Sequence, residues 1–315
     1  MIVTLTANPS LDRAIALEGA LRPGEVQPAR QTREDAAGKG INVARVVAAA
    51  SVHSCAVLPL AADDPYATAL AQTGLSVRTV PIVGHARSNL TITDPAGVTT
   101  KLNLDGARLD ARDLDALRGE VVDAARGARW LVLAGSLPPG AAPDYYVEVI
   151  AAVRAAYGDQ APLIAVDTSG EALAETVAHG HPDLIKPNDE ELAELTGASI
   201  GADASIEQIA RVAWDLVPDR VGSALVTLGA AGALYVTAET ALAAEAVRIR
   251  PLSTVGAGDS ALAGFLIAEA EGASSDDALR SAIRYGAAAA SLPGTQAPTP
   301  ADLSPSAITV QRHPR

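Results

Sequence analysis

The chain has 315 residues, 49% apolar but only 3% aromatic, with a formal net charge of −13. That length exceeds the usual single domain, yet it suits an α/β fold whose one large core is filled by Ala, Val, Leu and Ile. The charge argues against nucleic acid and anionic membrane partners, which need a basic footprint, and leaves room for an anionic small molecule where a few basic groups converge.

Residues 2–7 predict a buried strand with no basic stretch before it and no signal peptide. No apolar run reaches the length of a membrane span, so a cytoplasmic location is expected. A helix follows over 38–50 with Val43, Val46 and Val47 on its inner face, then a strand over 54–60 that carries the lone cysteine, Cys55. A single cysteine excludes an internal disulfide and a cysteine metal cluster. A helix near 65–73 precedes a change of pattern. The runs 77–83, 89–93 and 98–102 alternate, and Pro95-Ala96-Gly97 separates two of them, which is hairpin patterning. From 111 onward helices (111–126, 143–156, 171–179, 188–196, 205–217) alternate with strands (129–134, 162–167, 183–185, 222–228), followed by a hairpin at 232–249 and helices near 275–291. Such alternation predicts an α/β fold with a mainly parallel central sheet flanked by helices. Residues 1–10, 37–76 and 105–315 form the expected core. Residues 11–36 and 77–104 are too few for a domain and are expected to form a small β-sheet lid.

Polar, glycine- or proline-rich stretches stand where the strands should end. They are Thr6-Ala7-Asn8-Pro9-Ser10-Leu11-Asp12, Gly38-Lys39-Gly40-Ile41-Asn42, Gly135-Ser136-Leu137-Pro138-Pro139-Gly140, Lys186-Pro187-Asn188-Asp189-Glu190-Glu191 and Thr227-Leu228-Gly229. In open α/β sheets, sites form beyond the carboxyl ends of strands. Gly38-Lys39-Gly40 is not a Walker A loop, because Gly40 stands where Ser or Thr is required. Lys39, Lys101 and Lys186 are the only lysines; every other basic side chain apart from His is Arg. A compact point charge is therefore expected where Lys39 and Lys186 sit in their glycine- and proline-rich turns.

The most telling stretch is Ser253-Thr254-Val255-Gly256-Ala257-Gly258-Asp259-Ser260, which turns into an apolar helical run. Its free amides and helix dipole favour an anion. An aspartate in a first turn is ordinarily a cap or dipole partner. Here it would repel a statically bound phosphate, but it suits a base that takes a proton from a hydroxyl while the amides hold a transferring phosphoryl group. A dinucleotide fingerprint fits less well, since Asp259 would face the pyrophosphate and no matching acid follows a second strand.

Taken with Gly38-Lys39-Gly40-Ile41-Asn42-Val43-Ala44, this stretch resembles the ribokinase-like PfkB carbohydrate kinase family. Thr6-x-Asn8-Pro9-x-x-Asp12, Gly135-Ser136-Leu137-Pro138 and Lys186-Pro187-Asn188-x-x-Glu191-Leu192 resemble its 1-phosphofructokinase and tagatose-6-phosphate kinase branch. The resemblance runs from Met1 to about Ala301. It implies an ATP-dependent kinase with Mg²⁺ that phosphorylates a sugar phosphate. Fructose 1-phosphate is the first choice of acceptor, and tagatose 6-phosphate or fructose 6-phosphate the alternative. A non-catalytic sugar-phosphate sensor is the reading from a different class.

The resemblance also implies roles. Asp259 matches the catalytic base, and the amides of Gly256, Ala257 and Gly258 the anion hole. Asp12 and Asn42 match residues that hold sugar hydroxyls, with Gly38 and Lys39 against the sugar. Arg87 and Asn89 match a motif whose arginine binds the substrate phosphate, with Ser136 nearby. Asn188 and Glu191 match the pair that organises Mg²⁺ and the nucleotide phosphates, largely through water. Lys186, Ser223, Thr227, Gly229 and Ser291 fall on the nucleotide side, and a homodimer through the lid is implied. The sequence departs from the pattern at three places. Ala37 replaces the first glycine of Gly-Gly-Lys-Gly, Ala86 replaces a threonine before Arg87, and residues 58–64 lack the glycines usual after that strand.

Overall fold

The strands that carry the core are apolar on both faces, as a sheet covered by helices on each side requires. The computed structural model describes residues 1–201 and 203–315. Strand β1 (Ile2–Leu5) is buried throughout. The chain then forms β2 (Ser10–Leu17), β3 (Ala29–Ala37), helix α1 (Lys39–Ala49), β4 (Ser54–Leu60), α2 (Tyr66–Ala71) and β5 (Val77–Pro81). Next come β6 (Arg87–Thr93), β7 (Thr99–Asn103), α3 (Ala111–Ala124), β8 (Trp130–Ala134), α4 (Tyr145–Tyr157) and β9 (Leu163–Asp167). The rest comprises α5 (Gly170–Glu175), β10 (Leu184–Ile185), α6 (Asp189–Thr196), α7 (Ile206–Trp214), β11 (Ser223–Thr227), β12 (Ala233–Val236), β13 (Thr240–Ala244), α8 (Ala257–Ala270), α9 (Ser275–Ala290) and β14 (Val310–Pro314).

Ten strands form one sheet in the order β14-β13-β12-β11-β10-β9-β8-β1-β4-β5. Pairing is parallel from β5 through β11 and antiparallel from β11 to β14. The chain builds outward from β1 through β4 to β5, then returns by α3 and builds the other way from β8. Strand order therefore reverses at β1, and the crevice for a ligand lies beyond the carboxyl ends there. The second sheet, β3-β2-β6-β7, comes from two insertions, one after β1 and one after β5. The α/β architecture expected from the sequence is the one observed.

With so few aromatics, the core relies on close approach of small residues. Helix α8 is buried from Asp259 to Ala268, and it packs on both α9 and α1. At Gly264 a β-carbon would come 2.7 Å from Tyr285 Cδ2 and 2.8 Å from Ser281 O, so only glycine lets α8 and α9 meet at this distance. Tyr235 packs in a tilted arrangement, ring centres 4.7 Å apart, against Phe265, the only phenylalanine.

One sequence expectation needs correction here. Residues 77–83 were expected to join the small sheet, but β5 pairs in parallel with β4 as the edge of the large one, placing Val80 in the core. Its alternation reflects an edge strand with one covered face. At the opposite edge, β14 pairs with β13 and extends the large sheet. Its sequence, Val-Gln-Arg-His-Pro, carries little apolar signal.

Candidate active site

Helix α8 begins where a glycine makes its backbone possible. Gly256, the residue before it, has φ +77°, the left-handed region that a side chain disfavours. The Ala257 amide makes only a long 3.4 Å bond to Thr254 O, and first-turn amides have no carbonyl one turn earlier to bond. These N–H groups and the helix dipole make a positive concavity.

Asp259 lies in that turn and is buried. Because α1 packs on α8, Asn42 of α1 reaches across, and its Nδ2 donates to Asp259 Oδ2 at 2.7 Å. Burial, with the Asp167 charge nearby, pushes the Asp259 carboxyl up to about 6, although Asn42, Lys39 and Lys186 pull the other way. A carboxylate poised there can accept a proton near neutral pH.

Asp167 ends β9 and is completely buried. Lys39 Nζ donates to its Oδ1 at 2.7 Å, and Lys186 Nζ lies 3.2 Å from its Oδ2. Burial alone would raise this carboxyl, but the Lys186 and Lys39 charges outweigh it and hold it below the usual carboxylate range. Burial works against the Lys39 charge, and Asp167 more than offsets it, so Lys39 stays protonated. A β-carbon on Gly258 would lie 3.3 Å from Lys186 Nζ, so this ammonium rests against the α8 turn. Two buried acids thus have opposite environments: Asp167 is fixed as an anion, while Asp259 can take up and release a proton.

The small sheet supplies the opposite wall. Its register sets Ser10 opposite Arg87 and Asp12 opposite Asn89, so all four share one face. Ser10 Oγ donates to Asp12 Oδ1 at 2.9 Å, and Asn89 Nδ2 donates to the same oxygen at 3.0 Å. Burial raises the Asp12 carboxyl despite these bonds and the Arg87 charge, and burial likewise lowers Arg87 while Asp12 opposes the change. Asn8 Nδ2 donates to Ser136 Oγ and to Leu137 O, both at 3.3 Å. Asn8, Arg87, Asn103 and Ser136 line a cleft of about 490 Å³. Among the described residues, Asn42 Oδ1, Asn89 Oδ1 and Arg87 Nε are buried without a hydrogen-bond partner. Unpaired buried polar atoms are costly, so these three fit positions that take a polar guest.

On the other side of the α8 turn lie the β10 and β11 ends. Asn188 caps α6: its Oδ1 accepts from the Glu191 amide at 2.7 Å, while Glu191 Oε2 accepts from the Asn188 amide at 2.9 Å. Asn188 also bridges to Thr227, and Gly229 starts the turn that follows. Ser291 closes α9, beside the 252–253 backbone that bonds Ala290 O. Ser223 is a correction. It opens β11, so four residues of strand, about 13 Å, separate it from Thr227. Its Oγ donates to Asp183 O at 2.9 Å, which makes it a structural bond at the far end of the sheet. Asp167 was missed, although it stands before Thr168-Ser169 at a strand end, the same signal that singled out the other loops. Asn8 was quoted in a motif but given no role.

The profile described as pfkB family carbohydrate kinase matches residues 6–302. The chain is a pfkB family carbohydrate kinase. A 1-phosphofructokinase of Rhodobacter capsulatus is 33% identical over 98% of this chain and 96% of the relative. The ATP-dependent 6-phosphofructokinase isozyme 2 of Escherichia coli is 31% identical over 94% of each chain. A structure of phosphofructokinase-2 from Escherichia coli in complex with substrates and products superposes with TM-score 0.86, at 30% identity over 96% of each chain. The ribokinase-like fold implied by the sequence is thus confirmed. This kinase is an enzyme that moves a phosphoryl group from ATP to a sugar phosphate. No helix among its described residues is long and apolar enough to cross a membrane.

Proposed function

We propose that the kinase phosphorylates the C6 hydroxyl of fructose 1-phosphate, giving fructose 1,6-bisphosphate. The observation that carries this reading is a site of two parts at the carboxyl ends of the strands. At one end the cleft lined by Arg87, Asn8 and Ser136 offers a half-buried guanidinium whose Nε has no partner among the described residues. At the other, Asp259 stands in the anion-binding turn of α8 with its carboxyl at about 6.

Arg87 holds the phosphate the substrate already carries. Asp12, Asn89 and Asn42 take the ring hydroxyls, as the unpaired oxygens of the two asparagines invite, and Gly38 and Lys39 pack against the sugar. Asp259 accepts the proton of the C6 hydroxyl as its oxygen bonds to the γ-phosphorus and the bond to the ADP oxygen breaks. The amides of Gly256, Ala257 and Gly258, with Lys186, stabilise the charge that spreads over the transferring group. The nucleotide occupies the side of Thr227, Gly229 and Ser291. Mg²⁺ fits the Asn188 and Glu191 end, since this ion commonly keeps its waters and uses one or two carboxylates plus phosphates. Glu191 also adds to the negative field at Lys39. When bound, Mg²⁺ supplies further neutralisation of phosphate charge. Closure of the small sheet as a lid, from residues within 11–36 and 87–104, would keep water from competing as acceptor.

Likeness to the 6-phosphofructokinase isozyme favours a second reading, transfer to C1 of fructose 6-phosphate or tagatose 6-phosphate. Incubation with Mg-ATP and fructose 1-phosphate, followed by ³¹P NMR, tests the first. It predicts one new phosphate signal on C6, and ATP consumption with no phosphorylated sugar would contradict it. Arg87→Ala should raise KM for the sugar phosphate by about 10- to 100-fold, the loss of a charge-assisted contact. Its rate with unphosphorylated fructose should stay unchanged. An unaltered KM in steady-state kinetics would contradict the role of Arg87.

We also infer a homodimer and a cytoplasmic location, where both substrates occur. The face of the small sheet opposite Asp12 carries Ile15 against Ile92 and Leu90 against Leu102. Leu102 is half exposed, and apolar contact area of this kind drives association. Sedimentation at micromolar concentration should give twice the chain mass; a monomer alone would contradict the dimer.

A further inference from the structure

The stretch 58–64, which runs out of the end of β4, departs from the family pattern and has no part in the chemistry described above, yet it ends in a buried carboxylate. Asp64 is 6% exposed, lies just before α2, and spans two segments distant in sequence. Its Oδ1 accepts from the Tyr66 amide at 2.8 Å, and its Oδ2 accepts from the Ala86 amide at 2.7 Å. The first bond fixes the carboxylate on the α2 turn. The second fixes the backbone immediately before Arg87, where a threonine side chain is absent and only the amide is available.

The Arg87 amide in turn bonds Pro9 O at 3.2 Å, which seats the start of β6 on β2. From the same α2 turn, the fully buried Tyr66 sends its hydroxyl to Ala37 O at 3.0 Å, two residues before Lys39. One rigid turn thus holds the backbone ahead of Arg87 and the backbone ahead of Gly38-Lys39. The two segments belong to different strands of the small sheet, β6 and β3, which do not pair with each other.

We propose that Asp64 is a positioning residue for substrate phosphate: it touches no substrate and acts by setting the backbone from which the Arg87 guanidinium reaches into the cleft. The inference rests on the reading that Arg87 binds the phosphate of the acceptor. A carboxylate suits the task because its two oxygens accept from two amides at once. An asparagine at this site presents one oxygen and one NH₂, and the NH₂ would face an amide N–H, donor against donor.

The test is a double-mutant cycle of Asp64→Asn and Arg87→Ala, read in KM for fructose 1-phosphate, KM for ATP and kcat. Asp64→Asn alone should raise KM for the sugar phosphate about tenfold, the order expected for one lost charge-assisted bond, with KM for ATP and kcat within about threefold. In the Arg87→Ala background it should raise that KM no further. With unphosphorylated fructose as acceptor it should have no effect. Asp64→Glu, which keeps two acceptor oxygens, should recover part of the loss. If Asp64→Asn weakens sugar phosphate and ATP alike, or its effect adds fully to Arg87→Ala, the residue is merely structural and the proposal fails. If Arg87→Ala leaves KM for the sugar phosphate unchanged, the reading of Arg87 itself fails. Should Asp64→Asn not fold, Ala86→Pro, which deletes the accepted N–H, provides the same cycle.

Discussion

Asp259→Asn lowers kcat by about 10²- to 10⁴-fold, the usual contribution of a positioned general base, while fructose 1-phosphate and ATP bind as before. Asparagine keeps the shape and can still accept from Asn42, so the crevice is preserved and only the proton acceptor is lost. The same change should leave the melting temperature at pH 8 equal or higher. The Asp259 carboxyl is raised to about 6 by burial, above its ordinary 3.8. The folded state therefore binds this proton more tightly than the unfolded chain does, and above about pH 6 it bears the cost of a buried charge that asparagine removes. The pH profile has the matching sign: the base must be ionised, so kcat of the native enzyme falls as pH drops through about 6. Bound phosphates add negative potential and can only move this limb upward. The limb is read in kcat because a sugar phosphate has its own ionisation near pH 6. ADP release, calorimetry and thermal melts on the variant check all three expectations. Turnover within tenfold of the native rate, or a kcat flat from pH 7 to 5, would contradict a role for Asp259 as base.

Asp167→Asn acts on stability first. It leaves Lys186, almost wholly buried, beside a neutral amide, and it strips Lys39 of its partner. Breaking a buried ion pair by removing one partner costs about 3–5 kcal/mol. Lys39 is a third exposed, so water screens its part of the loss and the lower end is expected. The Asp167 carboxyl lies below its ordinary value, so its contribution is fully present above about pH 4 and is lost only as pH falls through its folded value. The gap between variant and native protein in urea unfolding should therefore persist from pH 8 to 5 and close under acid. Turnover should fall as well, by about 10²-fold, since both ammonium groups lose the anchor that fixes them. A variant as stable as the native chain at pH 7 would contradict the view of Asp167 as the pivot of the site.

Much of this site could be read from the chain because glycine and proline mark where backbone must turn at a strand end. Gly38-Lys39-Gly40, Lys186-Pro187-Asn188 and Gly256-Ala257-Gly258-Asp259 each announced a loop, and the sheet brings all three together. Asp167-Thr168-Ser169-Gly170 carried the same polar signal at a strand end, but Asp167 itself reads as the last residue of a strand, and only the two lysines converging on it reveal its importance. Ser223 failed for the opposite reason, since proximity in sequence to Thr227 says nothing about which end of a strand a side chain occupies. Strand β5 was misplaced because alternation identifies a half-covered strand without saying which sheet covers it. Asp64 sat in a stretch that differed from its family, and its two backbone partners, one of them 22 residues away, exist only in the folded chain.

In the proposed reaction a phosphorylated sugar is held by its phosphate at Arg87 while Asp259 activates a hydroxyl at the other end. This reaction is tested most directly by ADP release with Mg-ATP across fructose 1-phosphate, fructose 6-phosphate, tagatose 6-phosphate, fructose and ribose. The account predicts the highest kcat/KM for fructose 1-phosphate, with free fructose and ribose lower by about 10²-fold, the worth of a charge-assisted phosphate contact. Equal or faster turnover of the free sugars would contradict it.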